Sequence, residues 1–197
     1  MNFLAHCYLS GQNPHIITGN FIGDFVKGRD LAEKYGSAIA AGVELHRAID
    51  AFTDTHRTVK QSKDRLRPVY RHYSGVIIDI FYDHFLAAGW NQFSPVPLED
   101  YAANIYQIIT DQHAILPERV NQMLPYMVKG NWLRNYANLE GIQRVLGGMA
   151  RRASFESKME LATNDLRASY HDFKKEFEAF FPELQDYCSH WLDNARV

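Results

Sequence analysis

Cysteine is nearly absent from this 197-residue chain: Cys7 and Cys188 stand alone near its two ends. Thiols so far apart give neither a disulfide framework nor a paired-ligand zinc site, and a reducing cytoplasm is the simplest setting for them. Long apolar runs are lacking too, and none approaches the roughly 18 residues of a membrane span. Met1-Asn2-Phe3-Leu4-Ala5-His6 offers no positive region followed by an apolar core, so no signal peptide is expected. Charge of one sign is also missing. A net charge of −2 gives no basic stripe for wholesale nucleic-acid binding and leaves only local patches. Nor is there a glycine-rich phosphate loop after a strand, or a Gly-x-Ser-x-Gly elbow. Cys7 beside His6 is no nucleophile pair, because neighbours on a helix point about 100° apart.

What the chain does have is helical periodicity punctuated by Gly and Pro, and very little strand signal. At 46% hydrophobic and 22% charged it is an ordinary globular composition, large enough for a real core. The pattern predicts one all-α domain, a helical bundle over residues 1–197. Helices are expected at 2–10, 14–26 and 37–55, then from about Thr58 to a break at Pro68. Others are expected at 73–90, 98–116, from Pro117, up to Arg152, at 155–180 with Phe155 in the buried stripe, and from Pro182.

Nine histidines are the compositional oddity, with His6, His46, His56 and His84 near acids or apolar runs in the first half. On the 37–55 helix, His46 and Asp50 lie at i and i+4, so an imidazole and a carboxylate reach one ion from one face. As a bare pair they are worth only a few tenths of a kcal/mol. The 73–90 helix is stranger. It is apolar almost all round, which marks a buried helix, yet carries Asp79 and Asp83 one turn apart beside His84. Buried carboxylates demand a metal, an arginine or a shared proton, and the metal is favoured here. Asp24, expected on the 14–26 helix sharing a face with Asn20, completes a set of Asp24, His46, Asp50, Asp79 and Asp83, with His6 and His84 as outer candidates. Imidazoles with several carboxylates and no thiolate suit Mn²⁺, Mg²⁺ or Fe²⁺ better than structural zinc. Such an ion lowers the pKa of a bound water and neutralises phosphoryl charge. Arg47, Lys27 and Arg29 lie close by in sequence to hold phosphate oxygens.

Asn2-Phe3-Leu4-Ala5-His6, Gly19-Asn20 with Asp24-Phe25, His46-Arg47-x-Ile49-Asp50 with Thr53-Asp54, Asp79 with Asp83-His84-Phe85-Leu86, and Gly148-Met149-Ala150-x-Arg152 together resemble the acyl carrier protein phosphodiesterase family. The similarity runs in order along nearly the whole chain. It implies an HD-phosphohydrolase-like, Mn²⁺-dependent enzyme that cleaves the phosphodiester joining 4′-phosphopantetheine to a serine of holo acyl carrier protein. The adjacent His-Asp of ordinary HD proteins is replaced here by His46-x-x-x-Asp50. On this resemblance His6, His84, Arg47 and Asn20 are the catalytic candidates, with His6 or His84 moving protons. The acidic carrier protein is expected to dock on Lys27, Arg29, Arg144, Arg151 and Arg152. The alternatives are an HD-type phosphatase or phosphodiesterase acting on nucleotides or other small phosphoesters, and a non-catalytic helical module that binds a carrier protein.

Overall fold

The computed structural model describes residues 1–195, and every regular element among them is helical. Capping chemistry sets the first two helices. Asn2 accepts from the Phe3 amide at 2.7 Å to open α1 (Phe3–Tyr8). Asn13 accepts from the His15 amide to open α2 (Pro14–Phe21), with Pro14 where a missing N–H costs nothing. One 3₁₀ turn, Gly23–Phe25, and the short α3 (Ala32–Tyr35) lead to α4 (Ser37–Thr55). Glycine lets α2 and α4 touch backbone to backbone. A Cβ at Gly19 would lie 2.0 Å from the Ile39 carbonyl oxygen, and one at Gly42 would lie 2.2 Å from that of Ile16.

Beyond α5 (Arg57–Tyr70) comes α6 (Ser74–Ala88), the buried axis of the fold. Its Ile77, Ile78, Ile80, Phe81 and Leu86 are fully buried, each contributing about 1.5–3 kcal/mol as an upper figure. The remaining elements are α7 (Leu98–Asp111), α8 (Glu118–Lys129), α9 (Trp132–Asn135), α10 (Leu139–Arg152), α11 (Ala162–Ala168) and α12 (Tyr170–Asn194). Helices α1, α5, α10 and α12 surround α6. From α12, Phe173 and Phe177 meet Phe81 and Tyr82 edge-on, with centroids 5.3 and 5.6 Å apart. Among the described residues no helix is long and apolar enough to cross a membrane. Cys7 and Cys188 are free and buried, and burial raises both thiol pKa values, to about 12 at Cys188.

The all-α expectation holds, while several boundaries are corrected. Pro68 and Pro182 lie inside α5 and α12 instead of breaking or starting a helix. Both prolines are exposed, and so are Asp64 and Glu178, the residues one turn earlier whose carbonyls lose a donor. The helix expected over 155–180 is three pieces: a loop with Lys158 at φ 56°, a 3₁₀ turn at Met159–Leu161 running into α11, and α12 after a break at Ser169. Phe155 falls in that loop, 74% exposed, not in the buried stripe. The helix after Pro97 stops at Asp111, five residues short of Leu116.

Candidate metal centre

Helix α4 carries His46 and Asp50 one turn apart, and α1 brings His6 against them. One ligand atom from each of these three side chains lies within 4.8 Å of the other two. Asp50 Oδ1 is 3.3 Å from His6 Nε2, and its Oδ2 is 3.2 Å from His46 Nε2. The imidazoles stack with centroids 4.0 Å apart. Both histidines are buried, whereas the Asp50 side chain is 42% exposed, so the cluster opens to solvent on its carboxylate side. Asp24 joins at the rim, 3.3 Å from His46 Nε2 and 71% exposed. It does not lie on α2, as the sequence suggested. That helix stops at Phe21, and the 3₁₀ turn swings Asp24 back toward α4. Gly23 makes the swing feasible, because a Cβ there would fall 2.2 Å from the His46 ring.

Asn20 sets the tautomer of both rings. Its Nδ2 donates to the His6 carbonyl at 2.9 Å and to Ser10 Oγ at 2.8 Å, and the carbonyl fixes which way the amide points. Its Oδ1 therefore accepts from His6 Nδ1–H at 2.7 Å, while its backbone carbonyl accepts from His46 Nδ1–H at 2.8 Å. With protons held on both Nδ1 atoms, the Nε2 lone pairs of the neutral rings aim at one place. That is the arrangement in which imidazoles bind a cation. Two nitrogens and one or two carboxylates fit a divalent metal ion.

The electrostatics show the same demand for positive charge. Burial pulls His6 down to about 4, opposed by its hydrogen bond to Asp50. Burial also acts to lower His46, but hydrogen bonds to Asp24 and Asp50 prevail and raise it to about 9. For Asp50 burial acts upward, yet His46 and His6 hold the carboxyl well below its usual range. The hydrogen bond from His46 lowers Asp24. Without a cation the cluster recruits a proton onto His46.

Asp79 and Asp83, expected as ligands, are engaged elsewhere. Asp83 is fully buried and accepts from the amides of Asn2, Leu4 and Ala5 at 3.0, 2.8 and 3.4 Å, closing the start of α1. Burial pushes it up to about 7 against those three bonds. Asp79 pairs with the Met1 ammonium at 2.9 Å. His84, expected to move protons, has both ring nitrogens occupied: Nδ1–H donates to the Tyr136 carbonyl at 2.7 Å, and Nε2 lies 3.0 Å from the Tyr170 hydroxyl.

The acyl carrier protein phosphodiesterase family matches the chain over residues 1–184. The chain belongs to that family. It is similar to the acyl carrier protein phosphodiesterases of Klebsiella pneumoniae strain 342 (33% identical, covering 93% of this chain and 95% of the relative) and Photorhabdus laumondii (33%, covering 94% of each). The counterpart from Escherichia coli O139:H28 is 31% identical, covering 96% of this chain and 98% of the relative. No solved structure matches the chain.

In this acyl carrier protein phosphodiesterase family member, Arg47 donates to the Val26 carbonyl at 3.5 Å and braces the loop that carries exposed Lys27 and Arg29. Arg144, Arg151 and Arg152 are exposed on α10. His6 as a candidate ligand and Asn20 as its positioner have no local sequence signal, since their partners lie on other helices.

Proposed function

We propose that this chain hydrolyses the phosphodiester joining 4′-phosphopantetheine to a serine of holo acyl carrier protein, releasing apo carrier protein and 4′-phosphopantetheine. The observation that carries the reading is the convergence of His6 Nε2, His46 Nε2 and the Asp50 carboxylate at a solvent-open spot, in a chain of the phosphodiesterase family. His6, His46 and Asp50 hold a divalent ion, Mn²⁺ ahead of Mg²⁺ or Fe²⁺, with Asp24 as fourth donor or its neighbour. Such an ion makes water a nucleophile near neutral pH and neutralises charge on the phosphoryl oxygens. Buried free thiols fit a reducing, cytoplasmic setting.

The chain's own residues supply position and proton traffic. Asn20 keeps both Nδ1 protons in place, so neither imidazole turns a proton toward the substrate. Asp24 is the member of the cluster most open to solvent, and in this reading its second oxygen takes a proton from the attacking water. As the new P–O bond forms, the bond to the serine oxygen breaks; that oxygen takes a proton from solvent, and Asp24 returns its own to solvent.

Mass spectrometry of holo carrier protein incubated with the purified chain and Mn²⁺ tests the reading. Conversion to the apo mass is expected for the wild type and is abolished in His46→Ala. Asp83→Asn keeps the ion and the conversion while folded, but loses about 1–3 kcal/mol of stability because its NH₂ group faces amide donors. A wild type that leaves the holo mass unchanged sinks the activity. An Asp83→Asn variant that stays folded without the ion returns Asp83 to the ligand set.

A further inference from the structure

One turn past Asp50, α4 ends at a cleft that the metal centre does not use. Asp54, α5 and the start of α6 border a solvent-open groove of about 780 Å³. On the α5 side it is lined by Lys63, Arg67, Arg71 and His72. Asp54 sits about 6 Å along α4 from Asp50, so the cleft and the metal centre share one helix.

The charge of the cleft is unlike that of the chain. The whole sequence carries −2, yet α5 holds Arg57, Lys60, Lys63, Arg65 and Arg67 against Asp64 as its one acid. Arg65 is spent inward on buried Glu176, with which it forms paired bonds at 2.9 Å. Lys63 and Arg67 each touch an acid at the cleft wall, Asp54 at 2.6 Å and Asp64 at 2.9 Å. Arg71 and His72 have no acidic partner among the described residues, and both are exposed. Helix α6 opens onto this space with no side chain capping its first turn, and Gly75 there adds no bulk of its own.

Arg71 is held in a backbone conformation suited to glycine, at φ 51° and ψ −123°. An arginine there is strained, and a Gly in its place would relax the turn. Next to His72, Tyr73 donates to the Phe155 carbonyl at 3.4 Å, which ties the loop after α10 to this turn.

We infer that this cleft, through Arg67, Arg71 and His72, docks clustered carboxylates on the acidic surface of the carrier protein beside the metal centre. The inference rests on the function proposed above, since that reading supplies the acidic partner. Its geometry is its own: an open groove next to the chemistry, lined by Lys63, Arg67 and Arg71 against Asp54 and Asp64, where exposed charges steer association and fix orientation while contributing little to the reaction.

Two measurements on Arg67→Glu/Arg71→Glu, with Mn²⁺ content and circular dichroism matched to wild type, test it. Binding of apo carrier protein, read by fluorescence anisotropy, is expected to weaken at least tenfold and to lose most of its salt dependence. In turnover of holo carrier protein, KM rises by the same factor while kcat stays within twofold. Arg71→Gly guards against misfolding: it raises the unfolding midpoint and still weakens binding. Unchanged affinity in both variants overturns the docking site, and so does a fall in kcat at constant KM. Wild-type binding without turnover removes the proposed activity yet leaves the docking site standing, whereas no wild-type binding removes the docking site.

Discussion

Asn20 uses its side-chain amide on the His6 ring and its backbone carbonyl on the His46 ring, so one residue orients two candidate ligands. Replacing it with Ala leaves His6 free to rotate or change tautomer, and leaves Ser10 and the His6 carbonyl short of a donor. Mn²⁺ affinity is expected to drop about 10–100-fold, with a stability loss of about 1–3 kcal/mol. Isothermal titration with Mn²⁺ reads the first figure and urea unfolding the second. Equal affinity in Asn20→Ala and wild type would mean the imidazoles need no orienting partner. At this scale the sequence was half legible. The i,i+4 geometry of His46 and Asp50 is local, so it could be read directly. His6 meets them only because α1 and α4 pack together, and nothing local announces that. Asp79 and Asp83 do find the compensation a buried carboxylate needs, but from partners with no residue-type signature: the Met1 ammonium beside Asp79, and free backbone amides at the start of α1 for Asp83.

At the scale of elements, the contact between α2 and α4 decides where the histidines sit. Gly19 and Gly42 let the backbones touch, and the Asn20 carbonyl comes within reach of His46 only because they do. Gly42→Ala places a methyl 2.2 Å from the Ile16 carbonyl oxygen, which neither backbone can accommodate without separating. The expected cost is about 1–3 kcal/mol from overpacking, together with weaker Mn²⁺ binding as His46 moves away from Asn20. Measuring both in one variant is the check, and a loss of stability with unchanged metal affinity would uncouple the helix contact from the site. Helix existence was readable from apolar periodicity, as in α4 and α6. The ends were less so: Pro68 was read as a break and Pro182 as a start, yet both lie exposed inside a helix, with Asp64 and Glu178 one turn before them exposed as well. The segment 153–169 keeps a helical apolar pattern in Met159 and Leu166 without being one helix.

Across the whole molecule, buried ionisable groups set how stability follows pH, and His84 is the cleanest of them because it lies outside the candidate ligand set. Burial lowers its pKa from 6.5, partly offset by the bond to the Tyr136 carbonyl. In the folded state it is neutral: Nδ1–H donates to that carbonyl, and Nε2 accepts from the Tyr170 hydroxyl. The unfolded chain takes up the proton first as pH falls. The stability His84 contributes is therefore present above pH 6.5, and below it is lost by up to about 1.4 kcal/mol per pH unit until the folded group also titrates. Asp83 works with the opposite sign. Its pKa, raised from 3.8 to about 7, costs stability as pH rises between those values, so the wild-type curve alone mixes the two. The difference between wild type and His84→Gln cancels Asp83. Gln cannot titrate and cannot match both bonds, so it is expected to be about 1–3 kcal/mol less stable at pH 7.5. That gap narrows as pH drops from 6.5 to 5.5. Urea unfolding of the two proteins at pH 7.5, 6.5 and 5.5 gives the three gaps. A gap that stays constant over this range would show that His84 does not stay neutral on folding.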